Sequence, residues 1–192
     1  MLNQLPPLKE TPSQTAGPYV HIGLTPSLEA ITGPNVRDLG AGPVPGHGPR
    51  ITITGRVFDG SGAPIVDAVV ELWQADADGN YTNAWGRVAC DNTGTFSFDT
   101  AKPGSVPGPD GKPMAPHLTL WIVARGINVG LHTRLYFDDE ADANATDFVL
   151  NRIMDPRRRR TLIATRSKAA GRATYTLDIR LQGDDETVFF DI

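Results

Sequence analysis

The stretch from Lys102 to Asp139, KPGSVPGPDGKPMAPHLTLWIVARGINVGLHTRLYFDD, leaves this chain few choices of fold. Its first part carries Pro and Gly too densely for a helix or a central strand. HLTLWIVA then runs apolar and β-branched, which is the signature of a strand. Strand side chains alternate, so His117, Thr119, Trp121 and Val123 share one face and Leu118, Leu120 and Ile122 the other. A loop containing Gly126 and Gly130 leads into LHTRLYF, where Leu131, Thr133, Leu135 and Phe137 alternate with His132, Arg134 and Tyr136. The stretch predicts a core hairpin fed by a loop rich in chemistry.

The rest of the chain agrees with an all-β fold. Its 192 residues suffice for one substantial core. With 20 Gly, 16 Pro and few helical periods, a single β-sandwich with an N-terminal arm and short helices is expected. Residues 1–50 read as arm and loops, because Pro6, Pro7, Pro12 and Pro18 forbid a continuous helix. Tyr19, Val20, Ile22 and Leu24 are apolar enough to lie on another surface. Residues 51–192 read as the sandwich domain. ITITGRVFD and AVVELWQA are strands, Thr82–Cys90 is a weak strand or loop, and a further strand carries Phe96 and Phe98. EADANATDFVLNRI makes one or two helical turns. Asp155-Pro156 starts a short helix through Arg157–Ile163, with Asp at the N-cap and Pro at N1. TYTLDIRLQG then turns Tyr175, Leu177, Ile179 and Leu181 inward. The apolar tail Val188-Phe189-Phe190 packs on the domain or on a neighbour.

Several function classes are excluded. A mixed surface of net charge −4 does not suit nucleic acid. No apolar run approaches the roughly 18 residues that span a membrane. The N-terminus, MLNQLPPLKE, lacks the basic and apolar regions of a signal peptide. The lone Cys90 cannot form an internal disulfide, and a cytoplasmic location is expected.

Three features could carry chemistry, and a fourth could carry a contact. Tyr81, after the Asp78-Gly79-Asn80 turn, and His117, at the head of its strand, could both ligate ferric iron, but further donors are needed. The natural place for one is two residues past His117, where Thr119 is not a competent ligand; a hydrogen-bonded structural histidine is the other reading. Arg134, beside His132, suits a carboxylate through its planar fork, or else snorkels to solvent. TAGPY at residues 15–19 is a Gly-Pro turn presenting Tyr19, or a packed arm. The Arg157–Arg160 run is a solvated face, or else an anion or partner contact.

TPSQTAGPY, GRVFDGSGAPIVDAVVELWQADADGNY, the KPG loop, PMAPHLTLWIVARGIN and LHTRLYFDDE together resemble the intradiol ring-cleaving dioxygenases. Within that family they are most similar to the α-type subunits of the branch that cleaves protocatechuate. The resemblance covers nearly the whole chain. It implies a transthyretin-like β-sandwich and an O2-dependent cleavage at non-haem Fe(III) held by two Tyr and two His. The first Tyr and first His fall on Tyr81 and His117. The second Tyr falls on Val106 and the second His on Thr119. The arginine that family catalysts carry three residues before the first His falls on Met114. The resemblance therefore implies a chain without iron of its own, paired in a higher αβ hetero-oligomer with a β subunit that holds the Fe(III). It also implies that the arm contacts that partner, and that Thr15, Gly17, Pro18, Tyr19 and Arg134 line the pocket for the aromatic substrate. Two rivals are a self-sufficient intradiol enzyme, opposed by Val106 and Thr119, and a transthyretin-like scaffold, opposed by the retained TAGPY and Arg134.

Overall fold

Apolar residues at every second position of a strand oblige one face of a sheet to cover another. The computed structural model describes residues 17, 19–169 and 171–191. Its strands are β1 (Arg50–Phe58), β2 (Val69–Gln74), β3 (Trp85–Ala89), β4 (Thr95–Ala101), β5 (Val106–Pro107), β6 (Pro113–Met114), β7 (His117–Val123), β8 (Leu131–Phe137), β9 (Ile163–Ala169), β10 (Arg172–Thr176) and β11 (Ile179–Arg180). The helices are α1 (Tyr19–Leu24), α2 (Ala141–Thr146) and α3 (Pro156–Arg160), with 3-10 turns at Pro26–Glu29 and Leu150–Arg152.

Hydrogen bonding runs β11-β1-β10-β9-β8-β7-β2-β3, with β4 on β1, while β5 and β6 form a separate ribbon. The long sheet turns over at β9. There β9 pairs antiparallel with β10 and parallel with β8, through Tyr136↔Ile163 and Phe137↔Ala164. Ile53, Phe96, Phe98 and Tyr175 from one half then share a buried cluster with Leu72, Leu118, Leu120 and Leu135 from the other. This is the expected sandwich, and Leu118, Leu120 and Ile122 are the inward face of β7, each 0% exposed.

Two elements differ from the sequence-based expectation. The helix after Asp155 ends at Arg160, and Ile163 opens β9 rather than closing the helix. Asp155 caps it as expected, its Oδ1 accepting from Arg157 N at 2.8 Å. Leu162 is fully buried, and its carbonyl accepts from Tyr136 N at 2.8 Å, so the sheet takes this segment. In the arm, α1 forms despite its Gly and β-branched residues, weak helix formers. It is anchored by His21, whose Nε2 donates to Asp67 O at 2.9 Å. The C-terminal tail packs on its own domain: Thr133 Oγ1 donates to Val188 O at 2.7 Å and Phe190 N to His132 O at 2.8 Å.

Two close contacts fix connections of the sandwich, one at the end of β8 and one along β1. Lys102 bridges Asp139 at 3.1 Å and Glu140 at 2.5 Å, with its ammonium over the Phe137 and Tyr175 rings. That pins the KPG loop to the end of β8. Gly55 lets β1 pass the Leu177 carbonyl, where a Cβ would stand 1.8 Å from the oxygen. Since both groups are backbone, neither can swing away. Gly55→Ala should cost about 3 kcal/mol, the upper end for overpacking, read as a fall in the thermal or denaturant midpoint.

Candidate functional site

The loop before Tyr81 is built by Asp76, whose Oδ1 accepts from Asp78 N at 3.0 Å and Asn80 N at 2.9 Å. Gly79 follows with φ 79°, and a Cβ on it would lie 2.3 Å from Ser105 O. Only glycine allows the turn to press this close to the loop that carries Val106. The Tyr81 ring then stacks on Trp73, centroids 6.1 Å apart and planes at 12°. Trp73 pairs with Thr119, and Thr119 pairs with Arg134 on the far side. Directly opposed residues share a face and touch, so the three make one row across β2, β7 and β8. Val106 pairs with Met114 in the β5–β6 ribbon, and Met114 Sδ lies 3.7 Å from Arg134 Nη1.

His117 sits one rung along, opposite Tyr136, with the two rings 5.6 Å apart. Its Nδ1 is 2.8 Å from Ala115 O. A carbonyl only accepts, so Nδ1 carries the proton and Nε2 presents its lone pair. The ring is 4% exposed, and burial first, then the Arg134 charge, push its pKa down to about 4. The Tyr136 hydroxyl takes a hydrogen bond from Arg134 Nη1 at 3.3 Å and gives one to Asp147 Oδ1 at 3.2 Å. Burial raises its pKa. Tyr81, half-exposed, is raised by burial too, with Arg134 opposing.

The structure thus brings Tyr81, Val106, Met114, His117, Thr119 and Arg134 to one end of the β2-β7-β8 face. Arg134, half-buried, lines a cleft of about 460 Å³ with Thr119, Arg152, Ile153 and Phe190. Among the described residues it is not brought to the TAGPY segment: Gly17 lines a different cleft, with His21, Asp67 and Arg125, and Tyr19 is 80% exposed. Thr15 and Pro18 lie outside the described residues. Two contributors escaped the sequence analysis as site residues. Tyr136 was legible as sharing the face of Arg134. Asp147 gave one signal, an Asp shortly before Val149 and Leu150, whose amides it caps at 2.9 Å each.

Residues 35–183 match the family described as Dioxygenase. Over 200 residues the chain is 50% identical to the protocatechuate 3,4-dioxygenase alpha chain of Pseudomonas putida, covering 96% of this chain and 97% of that one. The chain belongs to the intradiol dioxygenase family. A stretch of 74 residues is 38% identical to the protocatechuate 3,4-dioxygenase beta chain of Burkholderia cepacia, 31% of this chain and 32% of that one. The solved 3-chlorocatechol 1,2-dioxygenase of Rhodococcus opacus 1CP shares the fold, with TM-score 0.59 and 22% identity over 72% of this chain and 62% of that one.

Intradiol dioxygenases are iron-dependent, and the donors here do not fit Fe(III) held by two Tyr and two His. A phenol and an imidazole are present at Tyr81 and His117. The Val106 side chain has no donor atom, and the Thr119 hydroxyl is a poor substitute for imidazole.

The buried His117 predicts a pH dependence. Its folded pKa, about 4, lies below the ordinary 6.5, so the unfolded chain binds a proton that the folded chain refuses. Stability should therefore fall as pH drops from 6.5 to 4, by about 3 kcal/mol in total. His117→Gln should flatten that part of a denaturant-midpoint profile measured against pH; an unchanged slope would count against the neutral, buried ring.

Proposed function

We propose that this chain is an α-type subunit of a protocatechuate 3,4-dioxygenase. It supports the O2-dependent cleavage of protocatechuate between its two hydroxyl-bearing carbons to 3-carboxy-cis,cis-muconate. The observation that carries this reading is near-full-length similarity to an alpha chain, joined to a family site that has lost two of four metal donors. Fe(III) is then held by a β-type partner in an αβ hetero-oligomer. Local similarity to a beta chain supports that pairing of related folds.

In this reading residues 1–50 are the arm that lies on the partner, and Thr15, Gly17, Pro18 and Tyr19 reach the partner's cavity. The exposed Tyr19 and Ile22, 80% and 41% accessible, are available for that contact. Arg134 supplies the contact to the substrate's ring carboxylate. Among the described residues its guanidinium has only Met114 Sδ and the Tyr136 hydroxyl as partners, and no carboxylate. A cytoplasmic location is in keeping with Cys90, a buried thiol whose pKa burial pushes up to about 12.

A charge-assisted hydrogen bond is worth roughly 1.5–3 kcal/mol. Arg134→Ala should therefore lower kcat/KM for protocatechuate by about one to two orders of magnitude, and Arg134→Lys should recover part of the loss. Catechol, which lacks the carboxylate, should be affected much less, and the iron spectrum of the αβ complex should persist. Equal losses on both substrates, measured side by side on the purified complex, would reject the carboxylate role.

A further inference from the structure

The end of the β2-β7-β8 face that carries Tyr81 and His117 carries a guanidinium as well. Arg134 stands directly opposite Thr119 on the neighbouring strand, on the same outer face. Its Nη1 lies 3.3 Å from the Tyr136 hydroxyl and 3.7 Å from Met114 Sδ. Tyr136 is the rung partner of His117, and Met114 that of Val106. The guanidinium therefore touches Met114, stands opposite Thr119 with which it lines a cleft, and lies one rung partner away from Val106 and His117; onto positions 106, 117 and 119 fall three of the family's metal donors and onto 114 its arginine. The arginine expected at position 114 is Met114 here, so the charge has moved onto the rung of a lost donor. Among the described residues no carboxylate bonds to it directly; Asp147 stands one hydroxyl away, through Tyr136, and Asp191 lines the same cleft.

We propose that Arg134 takes the cation's place in this pocket, so that restoring donors at positions 106 and 119 does not by itself restore a metal site. A fixed charge one strand away repels a multiply charged ion strongly where burial lowers the dielectric. An imidazole introduced at position 119 would also stand against the guanidinium, which would compete with the metal for the space. The inference concerns this chain's own pocket and holds whether or not Arg134 meets a substrate carboxylate.

The test counts iron per chain in the full-length protein co-purified with its partner, as an increment over wild type. Val106→Tyr with Thr119→His should add no iron and no tyrosinate absorption. Adding Arg134→Gln to that pair should raise the count by about one iron per chain and bring the visible band. Uptake by the double variant, or none by the assembled triple variant, would overturn the proposal. Should the grafted chains fail to assemble, Thr119→His alone makes a smaller change, placing two histidines on one face of β7. Co2+ titrated into it should bind about ten-fold or more tightly once Arg134→Gln is added. Equal affinities would equally overturn the proposal.

Discussion

Asp147 is fully buried, and the geometry of the site hangs on it. A carboxylate taken out of water is costly unless its lone pairs are met. Here Oδ2 accepts from Ala115 N at 2.9 Å, and Oδ1 from Val149 N, Leu150 N and the Tyr136 hydroxyl. Those bonds join the insert after β8 to the entry of β7 and to β8 itself. Ala115, held by its amide, offers its carbonyl to His117 Nδ1 and so fixes the tautomer. Tyr136, held by its hydroxyl, is the polar partner of Arg134. One buried acid thus orients both the imidazole and the guanidinium without touching either.

The sandwich core and the site are separable. The main cluster lies between the sheet halves, whereas Ala115, Tyr136, Leu150 and Leu162 form a smaller one beneath the insert. Val106 and Thr119 belong to the outer face and its ribbon, and Val106, at 4% exposed, is packed as an ordinary apolar residue. Changes of side chain on that outer face leave the burial between the halves intact, and a fold stabilised mainly by that burial tolerates them.

What was legible in the sequence was local. The period-2 alternation in HLTLWIVA and LHTRLYF gave the hairpin and its inner face, because burial on one side enforces that pattern. That Thr119 is no competent iron ligand was legible from its side-chain chemistry, whereas Val106 entered only through the family resemblance. β9 was hidden: IATRSKA alternates weakly and follows an arginine run with a good helix start, and its pairing with β8 and β10 is set by residues distant in sequence. α1 was hidden for the converse reason, a poor helix held by one side chain on Asp67. Asp147 drew no reading of its own, since nothing nearby in the sequence shows that four donors converge on it.

The row Tyr81–Trp73–Thr119–Arg134 is held together without a metal. The phenol keeps its place by stacking, and the imidazole by one bond to a carbonyl. Neither contact uses a metal. Arg134 adds a guanidinium from β8, and the buried Asp147 stands one hydroxyl away from it through Tyr136. Arg134 thus stands at the end of that row, held by the Tyr136 hydroxyl and Met114 Sδ, and its orientation traces back through Tyr136 to the buried Asp147.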